Sequence, residues 1–225
     1  PRLFVLTGAG CSTDSGIPDY RDAAGGWKRR PPIMLQDFIA NERARKRYWA
    51  RSLAGFRRVR CARPNDAHYS LASLERRGQI ATIVTQNVDG LHQAAGSQNV
   101  IDLHGRIDTV RCLGCQRRSS REQLQLELTN RNPEFAAVDA MEAPDGDADL
   151  EGVAFETFDV PACDSCNGLL KPDVVFFGEG VPAERVRRAM SEIERSDAML
   201  VVGSSLMVYS GYRFVKAMAD AGKPI

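Results

Sequence analysis

Four of the six cysteines stand as two Cys-x-x-Cys pairs, Cys112/Cys115 and Cys163/Cys166. Each pair can present two thiolates from one tight turn, and four thiolates match the tetrahedral coordination of structural zinc. Four cysteine ligands leave no position for a reactive water, so the spacing predicts one structural zinc rather than a catalytic one. The alternative, four unrelated buried thiols, is disfavoured by the repeated spacing.

A glycine-containing run follows the apolar residues 3–6. Gly8, Ala9 and Gly10 lie where a strand would end, and a turn of this type can bring backbone N–H groups close to a phosphate. The spacing is not Gly-x-Gly-x-x-Gly, and Pro18 would stop a following helix. A structural tight turn is therefore an equal alternative for the three residues taken alone.

Polar side chains follow two further apolar runs. Gln86, Asn87 and Asp89 come directly after residues 80–85, and they could hydrogen-bond ribose hydroxyls and a carboxamide; capping of a helix or turn is the alternative. Gly203, Ser204 and Ser205 come after residues 198–202, where an ordinary turn at a strand end is the alternative.

Leu-His-Gly at residues 103–105 contains a candidate general base. His104 has a reference pKa of about 6.5, which suits proton transfer near neutral pH, and Gly105 allows close backbone approach. A lone histidine is more often structural, and His68 and His92 are assigned to that class.

These residues need a framework of alternating strands and helices. Short β-branched or apolar runs predict strands at 3–7, 80–85, 174–177 and 198–202, and those at 80–85 and 198–202 are expected to be buried. A loop is expected over 8–32. Helices are expected within 34–60, from the N-cap Asn65 through Arg77, over 88–95, from Pro182 to about Arg195, and from about Tyr212 to Ala221. This order predicts an α/β fold, a Rossmann-like parallel sheet with helices on both faces.

The cysteine region interrupts that order and predicts an inserted module. The expected boundaries are 1–107 and 171–225 for the Rossmann-like dinucleotide-binding domain and 108–170 for the zinc-binding module. Residues 116–162 separate the cysteine pairs, which is longer than the roughly 15–20 residues of a simple ribbon. An inserted loop is therefore expected at about 129–159, where residues 134–159 are acidic.

Taken together, the motifs resemble those of the sirtuins, the NAD-dependent protein deacylases. The resemblance rests on the run at 7–21, Thr-Gln-Asn-x-Asp at 85–89, Leu-His-Gly and the run at 171–179, and it covers nearly the whole chain. It is closest to the class II branch, which includes a mitochondrial sirtuin with lipoamidase and ADP-ribosyltransferase activities, because of residues 47–51, residues 208–214 and the long insertion. Cys11 departs from the family pattern, which usually has an aliphatic residue there.

The resemblance implies a role for each matching position. His104 would be the general base, and Asn87 would act beside it on the nicotinamide. The expected NAD contacts are Gly8, Ala9, Gly10, Thr13, Asp19, Tyr20, Arg21, Gln86, Asn87, Asp89, Gly203, Ser204 and Ser205. The expected contacts with an acyl-lysine substrate are Tyr48, Arg51, Val175, Phe176, Phe177 and Gly178.

The implied activity is NAD-dependent removal of an acyl group from lysine with its transfer to ADP-ribose. Two alternatives remain: protein mono-ADP-ribosyl transfer at the same NAD site, and a non-enzymatic zinc-ribbon binding module. The expected partners are acyl-lysine proteins, and the chain is expected to be a monomer. Because the net charge is +1 and no apolar run reaches the length of a membrane span, neither nucleic acid nor membrane is an expected partner. A cytoplasmic location is expected, with the mitochondrial matrix as the alternative.

Overall fold

The computed structural model describes residues 2–19, 26, 32–136, 141–142, 148–149 and 155–225. Strands lie at Leu3–Thr7 (β1), Ile80–Thr85 (β2), Val100–Asp102 (β3), Gly105–Cys112 (β4), Arg118–Ser120 (β5), Met141–Glu142 (β6), Ala148–Asp149 (β7), Leu170–Val174 (β8) and Ala198–Val202 (β9). Helices lie at Leu35–Ala40 (α1), Glu42–Cys61 (α2), Asp66–Arg76 (α3), Leu91–Ala94 (α4), Arg121–Arg131 (α5), Pro133–Ala136 (α6), Ala183–Glu194 (α7) and Tyr209–Asp220 (α8), and a 3₁₀ helix spans Ala9–Ser15.

The chain forms two compact units, each assembled from separate stretches. Unit 1 contains Pro1–Lys28, Ala62–Gly105 and Gly180–Ile225, and unit 2 contains Arg29–Cys61 and Arg106–Glu179. The domain boundaries expected from the sequence stay a prediction, and the contact-based units place residues 29–61 together with the cysteine region. Within the described residues, no helix has both the length and the apolar character that a membrane crossing requires.

Unit 1 is built on a parallel sheet in the order β3-β2-β1-β9. Alternate residues of β1 point to opposite faces, as the period of a strand requires. Phe4 and Leu6 pack with Phe214 of α8 and Ile193 of α7, whereas Val5 packs with Leu71 of α3. Both faces are therefore covered by helices, and the predicted fold class is confirmed.

Unit 2 has a smaller sheet in the order β5-β4-β8 and a helical core. Trp49 and Leu53 of α2 pack with Leu124 and Leu128 of α5. Arg121 is fully buried, with its guanidinium carbon 4.3 Å from the centroid of the Phe56 ring.

Several sequence-based elements are confirmed. The strands at 3–7, 80–85 and 198–202 have the expected limits. Asn65 caps α3, because its side-chain oxygen accepts from the backbone N–H groups of Ala67 (3.0 Å) and His68 (3.4 Å). The remaining unit 1 helices lie within about three residues of their predicted positions.

Other expectations were wrong. The strand predicted at 174–177 lies instead at Leu170–Val174, although it contains Pro172. That proline is tolerated because β8 is an edge strand of its sheet, where one side needs no ladder hydrogen bonds. The strand at 198–202 is also an edge strand and is not fully buried, since Leu200 is 37% exposed. The expected loop at 8–32 contains the 3₁₀ helix.

The inserted loop begins later than expected. Helices α5 and α6 continue to Ala136, and α6 buries Phe135 against Phe158, so the first part of the segment 129–159 is helical and packed. Strands β6 and β7 pair antiparallel. Residues 137–140, 143–147 and 150–154 lie outside the described residues.

Candidate active site and metal centre

The candidate nucleotide-binding turn lies in unit 1 at the carboxyl ends of β1 and β9, the edge where open α/β sheets bind ligands. Gly8 N donates to Val202 O (3.1 Å), and Gly10 N donates to Gly203 O (2.8 Å). A Cβ on Gly8 would lie 2.9 Å from Gly203 O, and one on Gly10 would lie 3.0 Å from the same oxygen. The two glycines are therefore required by the close approach of the strand ends, before any ligand is considered. Ala9 begins the 3₁₀ helix.

A chain of hydrogen bonds links this turn to the end of β2. Asn87 Nδ2 donates to Gly8 O and to Ser12 Oγ, each at 3.0 Å. Ser12 Oγ donates to Asp89 Oδ2 (2.7 Å), and Asp89 Oδ1 accepts from Leu91 N (2.9 Å). The structure thus links Asn87 and Asp89 through Ser12, and their contacts with NAD stay a prediction. Ser12, which is 1% exposed, belongs to the same hydrogen-bonded group. The sequence analysis named its neighbour Thr13 and missed this serine.

Gln86 and Ser204 also meet at this edge. Gln86 Nε2 donates to Ser204 Oγ (2.9 Å), and Gln86 N donates to Thr7 O (3.0 Å). A Cβ on Gly211 of α8 would lie 2.5 Å from Gln86 Oε1, so this glycine makes room for the glutamine. Gln86 is held between the ends of two strands and the start of a helix.

The other residues expected to contact the nucleotide are Thr13, Asp19, Ser205, Tyr20 and Arg21. Thr13 is exposed, and its hydroxyl donates to Gly10 O (3.0 Å). Asp19 is half-buried and Ser205 is exposed. Tyr20 and Arg21 lie outside the described residues.

His104 is held by both ring nitrogens within unit 1. Its Nδ1 lies 3.0 Å from Gln86 O, and its Nε2 lies 2.8 Å from Ser210 Oγ. Because a carbonyl oxygen can only accept, Nδ1 carries the proton, and Nε2 accepts from the Ser210 hydroxyl. Ser210 is a second residue that sequence reasoning missed.

The electrostatic surroundings keep this imidazole neutral. Burial lowers the pKa of His104 to about 4, and the nearby positive charges of Arg185 and Arg213 act in the same direction. The hydrogen bond to Gln86 O opposes this shift and does not overcome it. At neutral pH the Nε2 lone pair can therefore accept a proton.

The four predicted zinc ligands come together in unit 2, with their Sγ atoms all within 4.8 Å of one another. The shortest separations are 3.4 Å for Cys112 and Cys166 and 3.7 Å for Cys115 and Cys163, which are far longer than a disulfide bond. Gly114 N donates to Cys112 Sγ (3.3 Å). A Cβ on Gly168 would lie 2.8 Å from the same sulfur. This cluster of four thiols, with a backbone N–H donor and with Gly168 at a position where a Cβ would clash, fits one tetrahedral zinc ion.

The predicted substrate segment lies in the same unit, just after β8. Phe176 is 8% exposed, Val175 is half-buried, and Phe177 forms an isolated parallel bridge with Met34. Gly178 has a φ of +77°, and a Cβ there would lie 2.7 Å from Gln36 Oε1.

An ion pair between the buried Lys171 and the half-buried Glu179 holds this segment in place. Lys171 Nζ lies 2.9 Å from Glu179 Oε2 and 4.3 Å from the centroid of the Phe176 ring. Glu179 Oε2 also accepts from Phe176 N (2.9 Å), and Lys171 Nζ donates to Val174 O. Burial lowers the pKa of Lys171. The pair therefore fixes the backbone at Val174 and at Phe176, where the predicted substrate residues begin, a role that the sequence pattern did not reveal.

Tyr48 of α2 joins the same cluster of side chains. Its ring centroid lies 5.2 Å from that of Phe176 and 5.4 Å from that of Phe38. Arg51, three residues further along the helix, is half-buried. The structure thus brings Tyr48 to the predicted substrate segment.

A model of the Sir2 family matches residues 8–210 of the chain. The chain belongs to the Sir2 family. The NAD-dependent protein deacetylase of Xanthomonas campestris pv. campestris (strain 8004) is 64% identical over 224 residues, which cover 100% of this sirtuin and 76% of that relative. NAD-dependent protein deacetylase 1 of Streptomyces coelicolor is 51% identical over 223 residues, covering 99% and 75%. A solved structure of Sir2 with a p53 peptide and NAD+ is 32% identical with a TM-score of 0.75, covering 99% of this sirtuin and 78% of that chain.

These similarities confirm the predicted family, the fold and the cofactors. NAD is the cosubstrate of sirtuins, and the four-cysteine cluster is consistent with one structural zinc. The names of the relatives favour an enzyme over the non-enzymatic zinc ribbon. They give no support to a mitochondrial location, since these relatives are bacterial. Membership of the class II branch, the monomeric state and the individual residue roles stay predictions.

Proposed function

We propose that this sirtuin is an NAD-dependent protein lysine deacylase that transfers the acyl group to ADP-ribose and releases nicotinamide and O-acyl-ADP-ribose. The observation that carries the proposal is a single edge of the unit 1 sheet. There, Asn87, Asp89 and Ser12 form one hydrogen-bonded group, and Gln86 connects the Ser204 hydroxyl with the His104 imidazole.

The residues of this edge divide into two roles. Asn87 and Asp89 would hold the nicotinamide carboxamide, because the Asn87 amide oxygen and the Asp89 carboxylate oxygens can accept from its NH₂ group. The turn at Gly8–Gly10, with Thr13, Asp19, Tyr20, Arg21, Gly203, Ser204 and Ser205, would hold the pyrophosphate and the ribose groups. Departure of neutral nicotinamide needs no proton, so positioning and electrostatics suffice for that step.

His104 would act in the next step. When the acyl oxygen has replaced nicotinamide at the ribose, Nε2 takes a proton from a ribose hydroxyl, and the resulting alkoxide attacks the acyl carbon. Water then adds to that carbon, the bond from the carbon to the lysine nitrogen breaks, and free lysine and O-acyl-ADP-ribose are released. The Ser210 hydroxyl now occupies the Nε2 lone pair at 2.8 Å. The ribose hydroxyl must therefore replace Ser210 at this nitrogen or pass its proton through it.

The substrate would be a protein segment that contains an acyl-lysine. Residues 175–178 follow an edge strand, and an extended peptide can add there as a further strand. The ion pair between Lys171 and Glu179 supports this edge by holding Phe176 N and Val174 O. The zinc ion in the four-cysteine cluster would be structural and would not contact the reacting groups.

The proposal also concerns which acyl group the enzyme prefers to remove from lysine. Tyr48 lies beside Phe176, and Arg51 follows it by three residues, which places both on one face of α2. This spacing suits a carboxylated acyl chain, whereas the acidic segment 134–159 would favour a long neutral chain such as lipoyl. An array of acetyl-, succinyl-, glutaryl- and lipoyl-lysine peptides tests the preference and, with it, the class II assignment.

Protein mono-ADP-ribosyl transfer would use the same NAD site. One incubation separates the two reactions: NAD, an acetyl-lysine peptide and an unmodified protein acceptor, with products followed by mass. Deacylation predicts free lysine and O-acetyl-ADP-ribose. An acceptor that gains ADP-ribose while the peptide keeps its acetyl group would favour the transferase.

A further inference from the structure

A second cluster of potential metal ligands lies in unit 1, apart from the four cysteines. Cys11, His68 and His92 each offer one ligand atom, and these atoms lie within 4.8 Å of one another. The three side chains come from the 3₁₀ helix, α3 and α4, and they are 4%, 0% and 1% exposed. The proposed reaction uses none of them.

The histidines have one unpartnered nitrogen each. Among the residues that the structure describes, no hydrogen-bond partner reaches the buried atoms His68 Nε2 and His92 Nδ1. A buried polar nitrogen without a partner is costly and uncommon, so this pair requires an explanation. The two rings lie with their centroids 4.8 Å apart, with no hydrogen bond joining them.

The opposite nitrogens are already occupied. His68 Nδ1 lies 2.9 Å from Asn65 Oδ1 and, in a longer contact, 3.3 Å from Asn65 N. His92 Nε2 lies 2.9 Å from Thr7 Oγ1. If each of these nitrogens donates its proton outward, the unpartnered nitrogen keeps its lone pair. Metal-binding histidines show this arrangement, in which the second ring nitrogen is fixed by a neighbouring oxygen.

The same neighbour also holds the backbone of Cys11. Asn65 Nδ2 donates to Cys11 O (2.9 Å), so a single asparagine supports both Cys11 and His68.

We propose that Cys11, His68 and His92 form a second metal site that binds one thiophilic transition-metal ion such as Zn²⁺. One thiolate and two imidazoles are ligands that zinc and related ions prefer, and three protein ligands leave a further coordination position open. Bond lengths of about 2.3 Å to sulfur and 2.0–2.1 Å to nitrogen place such donors roughly 3.3–3.8 Å apart. The side chains would therefore close by roughly 1 Å around the ion.

Occupancy of this site would act on the neighbouring turn. Cys11 directly precedes Ser12, which bonds to Asp89 and Asn87. An ion that ties Cys11 to α3 and α4 would restrain the 3₁₀ helix from within the fold, independently of which reaction the site performs.

Cobalt binding tests the proposal without reference to activity. The full chain is first loaded with one equivalent of Zn²⁺, which fills the four-cysteine cluster and leaves the second site free. It is then incubated with Co²⁺ in a thiol-free buffer, and the metals bound after removal of excess ions are quantified. The expected result is one Co²⁺ per chain in addition to the retained zinc, with a thiolate-to-cobalt absorption band. X-ray absorption at the cobalt edge should show one sulfur and two imidazole nitrogens.

Two variants complete the experiment. Cys11→Val keeps the approximate size of the side chain and should abolish both the additional Co²⁺ and the absorption band. Cys61→Ser changes an exposed free cysteine outside both clusters. This variant should keep the additional Co²⁺ and the absorption band unchanged. Absence of bound Co²⁺ in the unaltered chain would overturn the proposal whether or not the variants fold. Retention of the additional Co²⁺ by folded Cys11→Val would overturn it too.

Discussion

Replacement of His104 by alanine separates the two chemical steps of the proposed reaction. The imidazole makes two hydrogen bonds, to Gln86 O and to Ser210 Oγ. Each is worth about 0.5–1.5 kcal/mol, so their loss should lower the free energy of unfolding by about 1–3 kcal/mol. A folded domain normally tolerates a loss of that size.

The kinetic effect should be much larger. Removing a general base typically lowers the rate by about 10²–10⁴-fold, which corresponds to about 2.7–5.5 kcal/mol in the activation free energy. Because nicotinamide leaves before His104 is needed, His104→Ala should retain NAD binding and the exchange of labelled nicotinamide into NAD. Only release of free lysine should be lost.

The pH dependence of kcat/KM for the unaltered enzyme is a second test of the role of His104. The pKa of His104 is lowered to about 4, so the imidazole is neutral and can accept a proton throughout the range above about pH 5. Protonation of His104 in the free enzyme should therefore not reduce kcat/KM between pH 8 and pH 6. The decrease should appear only as the pH falls toward 4.

The assay measures lysine release, nicotinamide exchange and thermal unfolding for three proteins. Ser210→Ala is the matched control, because it removes the hydroxyl at Nε2 and keeps the imidazole. The loss of one hydrogen bond should change kcat by about tenfold at most. If His104→Ala folds and releases lysine at the rate of the unaltered enzyme, His104 is not the base; if it loses nicotinamide exchange as well, the proposed order of steps is wrong.

Three further predictions concern the metal, the turn and the acyl group. Cys115→Ser should lower the zinc content by one ion per chain and lower the thermal midpoint, since zinc ligation is coupled to folding; unchanged zinc by elemental analysis would contradict the four-cysteine site. Gly203→Ala should destabilise the chain by about 3 kcal/mol or more, because φ is +61° and the new Cβ would lie 2.1 Å from Cys11 N. Gly222→Ala, with a φ of +67° and nothing within 4 Å, should cost only about 1–2 kcal/mol in denaturant unfolding, and equal costs would refute the packing argument. If Arg51 pairs with a carboxylated acyl chain, Arg51→Met should lower turnover of glutaryl-lysine by about 10–150-fold and spare lipoyl-lysine. Equal losses on both peptides would assign Arg51 a structural role.

The sequence was informative where a short run of residues carries both the element and the chemistry. The β-branched run at 80–85 and the polar residues directly after it predicted β2 and placed Asn87 and Asp89 at its end. The two Cys-x-x-Cys pairs predicted their cluster across a long separation, because zinc coordination restricts the ligand spacing.

Residues whose roles depend on distant partners were not predictable in this way. Ser12 lies 77 positions from Asp89, and Ser210 lies 106 positions from His104. A serine has no distinctive pattern of its own, so only the folded arrangement reveals the hydrogen bond. The ion pair between Lys171 and Glu179 fixes the turn at Phe176, and this local constraint explains why the apolar run at 174–177 is not a strand.

The most direct test of the proposed function is the stoichiometry of the products. The enzyme is incubated with an acetyl-lysine peptide, with and without NAD, and nicotinamide, free lysine and O-acetyl-ADP-ribose are quantified by mass. Transfer of the acyl group to ADP-ribose predicts the three products in equal amounts, and none of them without NAD. Lysine released without NAD, or accompanied by free acetate in place of O-acetyl-ADP-ribose from the start of the reaction, would contradict the account.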